Sequence, residues 1–191
     1  MSDQAQPASP PNQDPSTSAP SSTSKTQSGN TSVICPGHSR PVPDLAFTGN
    51  TPDGYFLISA CLDNKAMLRD GQTGDWIGTF MGHKGAVWCA RLNTPATQAA
   101  TAAADFTAKL WDALTGAELH TLPHKHIVKS LSFSADGTRL YTGGQEKKLR
   151  IFDLGRIDAD PAILEDHKAN ITNVWTVKDE NLIVTAGAEK D

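Results

Sequence analysis

His83, Thr101 and Asp105 put an imidazole, a hydroxyl and a carboxylate into one short stretch of chain, the three groups from which a nucleophilic triad is built. In such a triad the imidazole takes the hydroxyl proton and the acid orients the imidazole. The same three types recur as His38, Ser59 and Asp63, as His124, Thr142 and Glu146, and as His167, Thr185 and Glu189. In every set the acid follows the hydroxyl residue by four positions, and the histidines are 45, 41 and 43 residues apart. An enzyme needs one such constellation, whereas a repeating architecture needs one strap per unit. The recurrence argues for a structural role and against catalysis.

Two other groupings have the right residue types for chemistry. His120, His124 and His126 are close enough in sequence to suggest metal ligands. His124, however, belongs to the repeat, and strand alternation separates the other two, so no metal site is expected. The glycine pairs Gly71/Gly74 and Gly143/Gly144 lack the lysine and the strand-to-helix context of a phosphate loop, and read as turn and strand-end glycines. Cys35, Cys61 and Cys89 are odd in number, lack metal-ligand spacing and each sits in an apolar stretch, the pattern of buried thiols in a reducing compartment.

The elements that must position these side chains are short strands. Val87 to Leu92 and Ile127 to Phe133 are rich in β-branched or aromatic residues, and turn signals such as Thr51-Pro52-Asp53-Gly54 and Ala135-Asp136-Gly137 separate the apolar stretches. Thr101 to Ala104 reads as helix by propensity alone, but its phase in the repeat makes it an inner strand whose small side chains suit close packing between units. The first three units run from Gly-His (Pro-His in the third) through the hydroxyl and acid to a closing aspartate, as in Leu110-Trp111-Asp112. Asp70, Asp112 and Asp153 close successive units 42 and 41 residues apart. A period of about 40–45 residues with these marks is that of the WD repeat, one four-stranded propeller blade per copy. The expected fold is therefore all-β, with repeats over about 38–70, 83–112, 124–153 and an incomplete 167–191. That is some three and a half blades of an expected seven, so the chain reads as a partial propeller.

Residues 1–32 stand apart. They hold nine serines, five prolines and four glutamines, with no aromatic residue and no Leu, Ile or Val. Such a segment buries too little apolar surface to offset the entropy of ordering it, and is expected to be an unstructured tail ahead of the propeller domain at 33–191. It has neither the apolar stretch of a secretory signal nor the arginines of a transit peptide. No apolar run approaches the ~18 residues that cross a bilayer. The net charge of −4 gives no electrostatic reason to bind nucleic acid.

The segments Gly54 to Cys61, Thr73 to Phe80, Gly82 to Trp88, Ala99 to Asp112, His124 to Lys129 and Leu149 to Leu154 resemble the serine/threonine kinase receptor-associated (unr-interacting) family of WD-repeat proteins, over about 35–155. The resemblance implies a seven-bladed, non-catalytic scaffold that joins the survival-of-motor-neuron machinery of spliceosomal ribonucleoprotein assembly and, in animals, damps growth-factor receptor signalling. Partners would then be protein subunits of such complexes, with no direct nucleic acid, membrane, small-molecule substrate or cofactor, and the location the cytoplasm and also the nucleus. The WD subunit of translation initiation factor 3 shares the Gly82 to Trp88 segment and is the alternative; an enzyme is the alternative of another class. The resemblance also implies a buried chain from Trp to hydroxyl to His to acid in each blade. Trp111, Thr101, His83 and Asp105 supply all four members. The first blade has Arg69 and the third Phe152 at the aromatic position, so both are expected to be strapped less firmly.

If each repeat histidine reaches the acid of its own blade, the loops carrying them share one face. By that assignment the opposite loops carry eleven acidic residues against two basic ones. Asp75, Glu118 and Asp158 are its candidate partner-binding acids, although the acids after each aromatic position are also placed to cap their own turns.

Overall fold

In a computed structural model of the chain, residues 32–177 and 182–188 are described. The expected tail, apart from Ser32, lies outside the described residues, as does Glu189. From residue 33 onward the chain repeats one motif, an antiparallel meander of four strands. In the first copy β1 (Asp44–Phe47), β2 (Phe56–Ala60), β3 (Ala66–Asp70) and β4 (Trp76–Phe80) pair in sequence order. The second consists of β5 (Val87–Leu92), β6 (Gln98–Ala103), β7 (Thr107–Asp112) and β8 (Glu118–Pro123). The third consists of β9 (Val128–Phe133), β10 (Arg139–Gly144), β11 (Leu149–Asp153) and β12 (Ala162–Leu164), with a single 3-10 turn at Leu154–Arg156. A fourth begins with β13 (Ile171–Val177) and β14 (Leu182–Gly187). Four-stranded sheets repeated in this way are propeller blades.

The alanine run of the second copy shows why the sheets stack. β6 is the second strand of its blade rather than the innermost, and it is covered on both faces. Ala99 and Ala103 pack with Ile58, Phe80 and Trp111 towards the first blade, whereas Ala100 and Ala102 pack with Leu131, Leu140 and Phe152 towards the third. All four alanines are fully buried. Larger side chains at alternate positions would hold the neighbouring sheets apart, so propensity for helix yields to packing. Tyr141, Leu149, Ile171 and Val174 form the corresponding layer between the third and fourth blades.

Polar stitches join the same sheets. Val87 N donates to the Cys61 carbonyl at 3.0 Å, carrying the ladder from blade one to blade two. Val174 N donates to Ser130 Oγ at 2.9 Å, and Ser132 Oγ lies 3.1 Å from Thr176 Oγ1. Each of these groups is thus matched across a blade boundary.

The turns between the second and third strands share a feature that the sequence reading missed. Asn64, Phe106 and Lys147, each one residue past the acid of its repeat, have φ of 68°, 65° and 62°. This left-handed conformation reverses the chain tightly and lets the acid cap the turn. Asp63 Oδ1 accepts from Lys65 N at 3.2 Å, and Asp105 Oδ1 accepts from Thr107 N at 3.1 Å. Asn tolerates this region, whereas Phe and Lys are held there at a cost of about 1–2 kcal/mol.

Candidate functional site

The second blade brings all four of its marked residues together. Trp111 Nε1 donates to Thr101 Oγ1 at 2.8 Å, Thr101 Oγ1 lies 2.7 Å from His83 Nε2, and His83 Nδ1 lies 2.8 Å from Asp105 Oδ2. Because the Asp105 carboxylate can only accept, His83 Nδ1 carries the proton that goes to it, Nε2 accepts from the Thr101 hydroxyl, and that oxygen accepts from the indole N–H. The carboxylate also accepts from Lys84 N at 2.9 Å. The chain thereby ties the loop before β5 to the turn after β6. Burial holds His83 below its ordinary pKa against the pull of Asp105, and so favours the neutral ring. Burial opposes ionisation of Asp105 too, but the hydrogen bonds from Thr107, His83 and Lys84 N hold its carboxyl below the usual range. Thr101 is fully buried, so no substrate reaches the hydroxyl that a triad would use.

The first blade keeps the histidine link but not the aromatic one. His38 Nε2 lies 2.8 Å from Ser59 Oγ, and His38 Nδ1 lies 3.1 Å from Asp63 Oδ2. Arg69 does not bond Ser59. Its guanidinium donates to the carbonyls of Pro36 and, at 3.0 Å, Gly74. The strap expected to end at Arg69 is instead rebuilt by it, since Pro36 lies in the same loop as His38. Asp63 can only accept, so His38 Nδ1 donates to it and Nε2 accepts from the Ser59 hydroxyl, as in the second blade.

The third blade departs further. His124 Nε2 lies 2.8 Å from Thr142 Oγ1, but Nδ1 faces the Leu122 carbonyl at 3.0 Å rather than Glu146. Arg150 takes Glu146 instead, with contacts of 2.6 and 3.0 Å, and Lys125 N also donates to that carboxylate. The expectation that every repeat histidine reaches the acid of its own blade therefore fails here, because a guanidinium at i+4 offers a charged partner with two donors to one carboxylate oxygen, which a neutral imidazole cannot match. Phe152 contributes only ring packing, 5.9 Å from His124. In the fourth blade His167 Nε2 lies 2.7 Å from Thr185 Oγ1.

The candidate partner-binding acids separate. Asp75 and Asp158 are exposed. Glu118 is not available in the same way, because it pairs with Lys109 Nζ at 2.7 Å and accepts from Thr121. The acids that end the third strands cap turns as anticipated. Asp70 and Asp112 accept backbone N–H groups two and three residues on, and Asp153 accepts from Gly155 N and Arg156. Those bonds hold all three below the ordinary carboxylate range. Asp136, held by Ser134 and Thr138, is pushed down to about 2.

The cysteines also divide. Cys61 and Cys89 are buried, and burial pushes Cys89 up to about 12, whereas Cys35 is exposed, contrary to the expectation for all three. Among the described residues one group of potential metal ligands converges, and it is not the histidine cluster. His38, Cys61 and Asp63 place one ligand atom each within 4.8 Å of one another. The sequence reading missed it because the ligands come from two distant segments. On the inner strands Lys129 Nζ lies 3.0 Å from the ring centroid of Trp88, whose indole N–H is buried without an acceptor among the described residues.

Comparison with known proteins agrees with this geometry. The "WD domain, G-beta repeat" family matches residues 29–70, 74–112 and 116–153. The serine-threonine kinase receptor-associated proteins of Gallus gallus and Homo sapiens are each 60% identical to the chain, over 82% and 80% of it, and that of Dictyostelium discoideum is 53% identical over 78%. The chain spans about half the length of these relatives, from 45% and 44% to 52%. Subunit I of eukaryotic translation initiation factor 3 from Pyricularia oryzae is 37% identical over 61% of the chain and 33% of its own length. The solved structure of U3-55K superposes with a TM-score of 0.70 over 80% of this chain and 47% of its own, at 20% identity, which speaks to the fold alone. With three matched repeats and three complete blades, the chain belongs to the WD-domain, G-beta repeat family.

Proposed function

We propose that the chain is a non-catalytic scaffold for protein partners, working in ribonucleoprotein assembly or in receptor signalling. The observation that carries the reading is the histidine–hydroxyl pair repeated in all four blades at 2.7–2.8 Å. Among the described residues, the polar constellation that resembles catalytic machinery is used up in holding loops to strands. The relatives' name, serine-threonine kinase receptor-associated protein, supports the signalling arm. The family resemblance over 35–155 supports the assembly arm, and with it a cytoplasmic and nuclear location. A basic partner segment would meet Asp75 and Asp158, whose charge steers encounter in a salt-dependent way.

Affinity capture with the full chain tests this. Recovery of ribonucleoprotein-assembly factors or receptor-complex subunits supports the proposal, with association slowed by Asp75→Lys and Asp158→Lys. Recovery of initiation-factor 3 subunits favours the second reading, which the 37% identity to subunit I motivates. A hydrolase activity lost in a folded Thr101→Ala variant overturns the scaffold reading.

A further inference from the structure

We propose that the loops where blades two and three meet form a docking surface for an acidic protein segment, one whose carboxylates flank an apolar side chain. The inference rests on the scaffold reading above, and adds to it a surface opposite in charge to Asp75 and Asp158. Lys84, Phe106, Lys125, His126 and Lys147 are all exposed there. Hydrogen bonds make these loops neighbours. Lys84 N donates to Asp105 Oδ2 at 2.9 Å, His124 N donates to the Phe106 carbonyl at 2.8 Å, and Lys125 N donates to Glu146. The loops are thus fixed in the folded chain, and little further ordering is needed when a partner arrives.

Charge is the first argument. Asp105 and Glu146 are the acids within 81–84, 104–107, 123–127 and 145–148, and their side chains are only 13% and 7% exposed. Both are turned inward, Asp105 to His83 and Thr107, Glu146 to Arg150. Among the described residues, Lys84, Lys125 and Lys147 form no ion pair. These cations therefore stand at the surface without an exposed carboxylate in their own loops, and a partner that brings carboxylates meets complementary charge. Phosphates would meet it too, but the acidic loops opposite and the net charge of −4 repel a long polyanion. A short acidic segment touches the cationic loops alone.

Phe106 is the second argument. It is 46% exposed, and its φ of 65° is one that a bulky side chain adopts only at a cost. Blade one has Asn64 at the same phase, a residue that takes this conformation readily. The turn does not call for a phenyl ring, and the core does not take it in. The ring instead meets His126 edge to face, with centroids 6.2 Å apart and planes at 74°. An exposed aromatic ringed by cations has the make-up of a binding hot spot, an apolar anchor with polar groups around it. The apolar side chain of the partner segment covers Phe106 while its carboxylates reach the lysines.

The test is fluorescence anisotropy of the full chain with a labelled synthetic peptide, Glu-Asp-Leu-Phe-Glu-Asp, and its Gln/Asn counterpart as control. The parent chain should bind the acidic peptide with a Kd below about 1 mM, more weakly as salt rises, and should not bind the control. Lys84→Glu combined with Lys125→Glu should weaken binding at least about tenfold. Arg156→Glu, the same kind of charge change beyond the far end of β11, should leave it within about twofold. Phe106→Asn separates binding from folding. Asparagine suits the left-handed turn, so the melting temperature should hold or rise while affinity falls at least about threefold. No binding by the parent, or full binding by either folded variant, overturns the surface. So does tighter binding of a hexauridylate RNA that depends on the same lysines. Those results leave the scaffold reading standing, because capture of partners by the full chain tests it separately.

Discussion

His124 directs Nδ1 to the Leu122 carbonyl at 3.0 Å, leaving Glu146, the acid of its own repeat, to Arg150. The two blades that look alike in sequence thus bind their turns by different chemistry. Asp105 is held by a neutral imidazole, Glu146 by a guanidinium. Burial works against ionisation of Glu146, but Arg150 and Lys125 N hold it below its ordinary range.

A double-mutant cycle reads out this difference. Glu146→Gln and Arg150→Met should couple by about 1–3 kcal/mol, since both side chains are largely buried and each loses a specific partner. Glu146→Gln and His124→Ala should add without coupling. Urea unfolding of the single and double variants measures both. A His124–Glu146 coupling as large as that of Glu146–Arg150 would show that the imidazole reaches the acid after all.

Acid should unfold the protein in two stages. Burial lowers the folded-state pKa of both His83 and His124, so the unfolded chain takes up their protons first. The stability of the neutral rings is fully present above the ordinary histidine value of about 6.5 and is lost as pH falls below it. Asp63, Asp105 and Glu146 are depressed as well. Their contribution is present above the ordinary carboxylate range and disappears only as pH falls through their lower folded-state values. Each histidine contributes a slope of at most about 1.4 kcal/mol per pH unit in the upper stage. Unfolding free energies from about pH 7 to about pH 5 should show a shallower slope in His83→Gln than in the parent. Equal slopes would mean that His83 is not the group being protonated.

Much of this was legible in the sequence. The period of the histidines and the offset from hydroxyl to acid located the blades, because a strap that closes each unit must recur with the unit. Val87 to Leu92 reads as a strand and is one to the residue, since β-branched and aromatic side chains bounded by turns leave little else. What sequence did not show was which partner a polar side chain would choose. Arg150 displaces the expected link and Arg69 adds an unexpected one, and each choice depends on where a long side chain lies after packing. The left-handed residues after the acids of the first three copies carried one signal, Asn64 at that phase, hidden by Phe106 and Lys147. Cys61 read as an apolar thiol because its neighbours His38 and Asp63 come together only when the loop before β1 folds over the turn after β2.

The junction of the third and fourth blades rests on a glycine, and replacing it should loosen that junction selectively. Gly143 lies in β10 without a positive φ, so its role is steric rather than conformational. A Cβ there would stand 2.6 Å from Ile171 Cγ2 and 2.9 Å from Val174 Cγ2. Both neighbours are fully buried and β-branched, so neither side chain can rotate aside within its preferred rotamer. Gly143→Ala should therefore cost about 1–3 kcal/mol by overpacking, more than the unfolded-state entropy it removes. Gly49, whose Cβ would meet nothing within 4 Å, is the control, and Gly49→Ala should change stability by no more than about 0.5 kcal/mol. In an Ile171→Ala background the cost of Gly143→Ala should shrink, because the crowding atom is gone. Thermal unfolding of the four variants decides the matter. Equal melting temperatures for Gly143→Ala and Gly49→Ala would mean that the sheets yield at this contact and that the close approach is not needed.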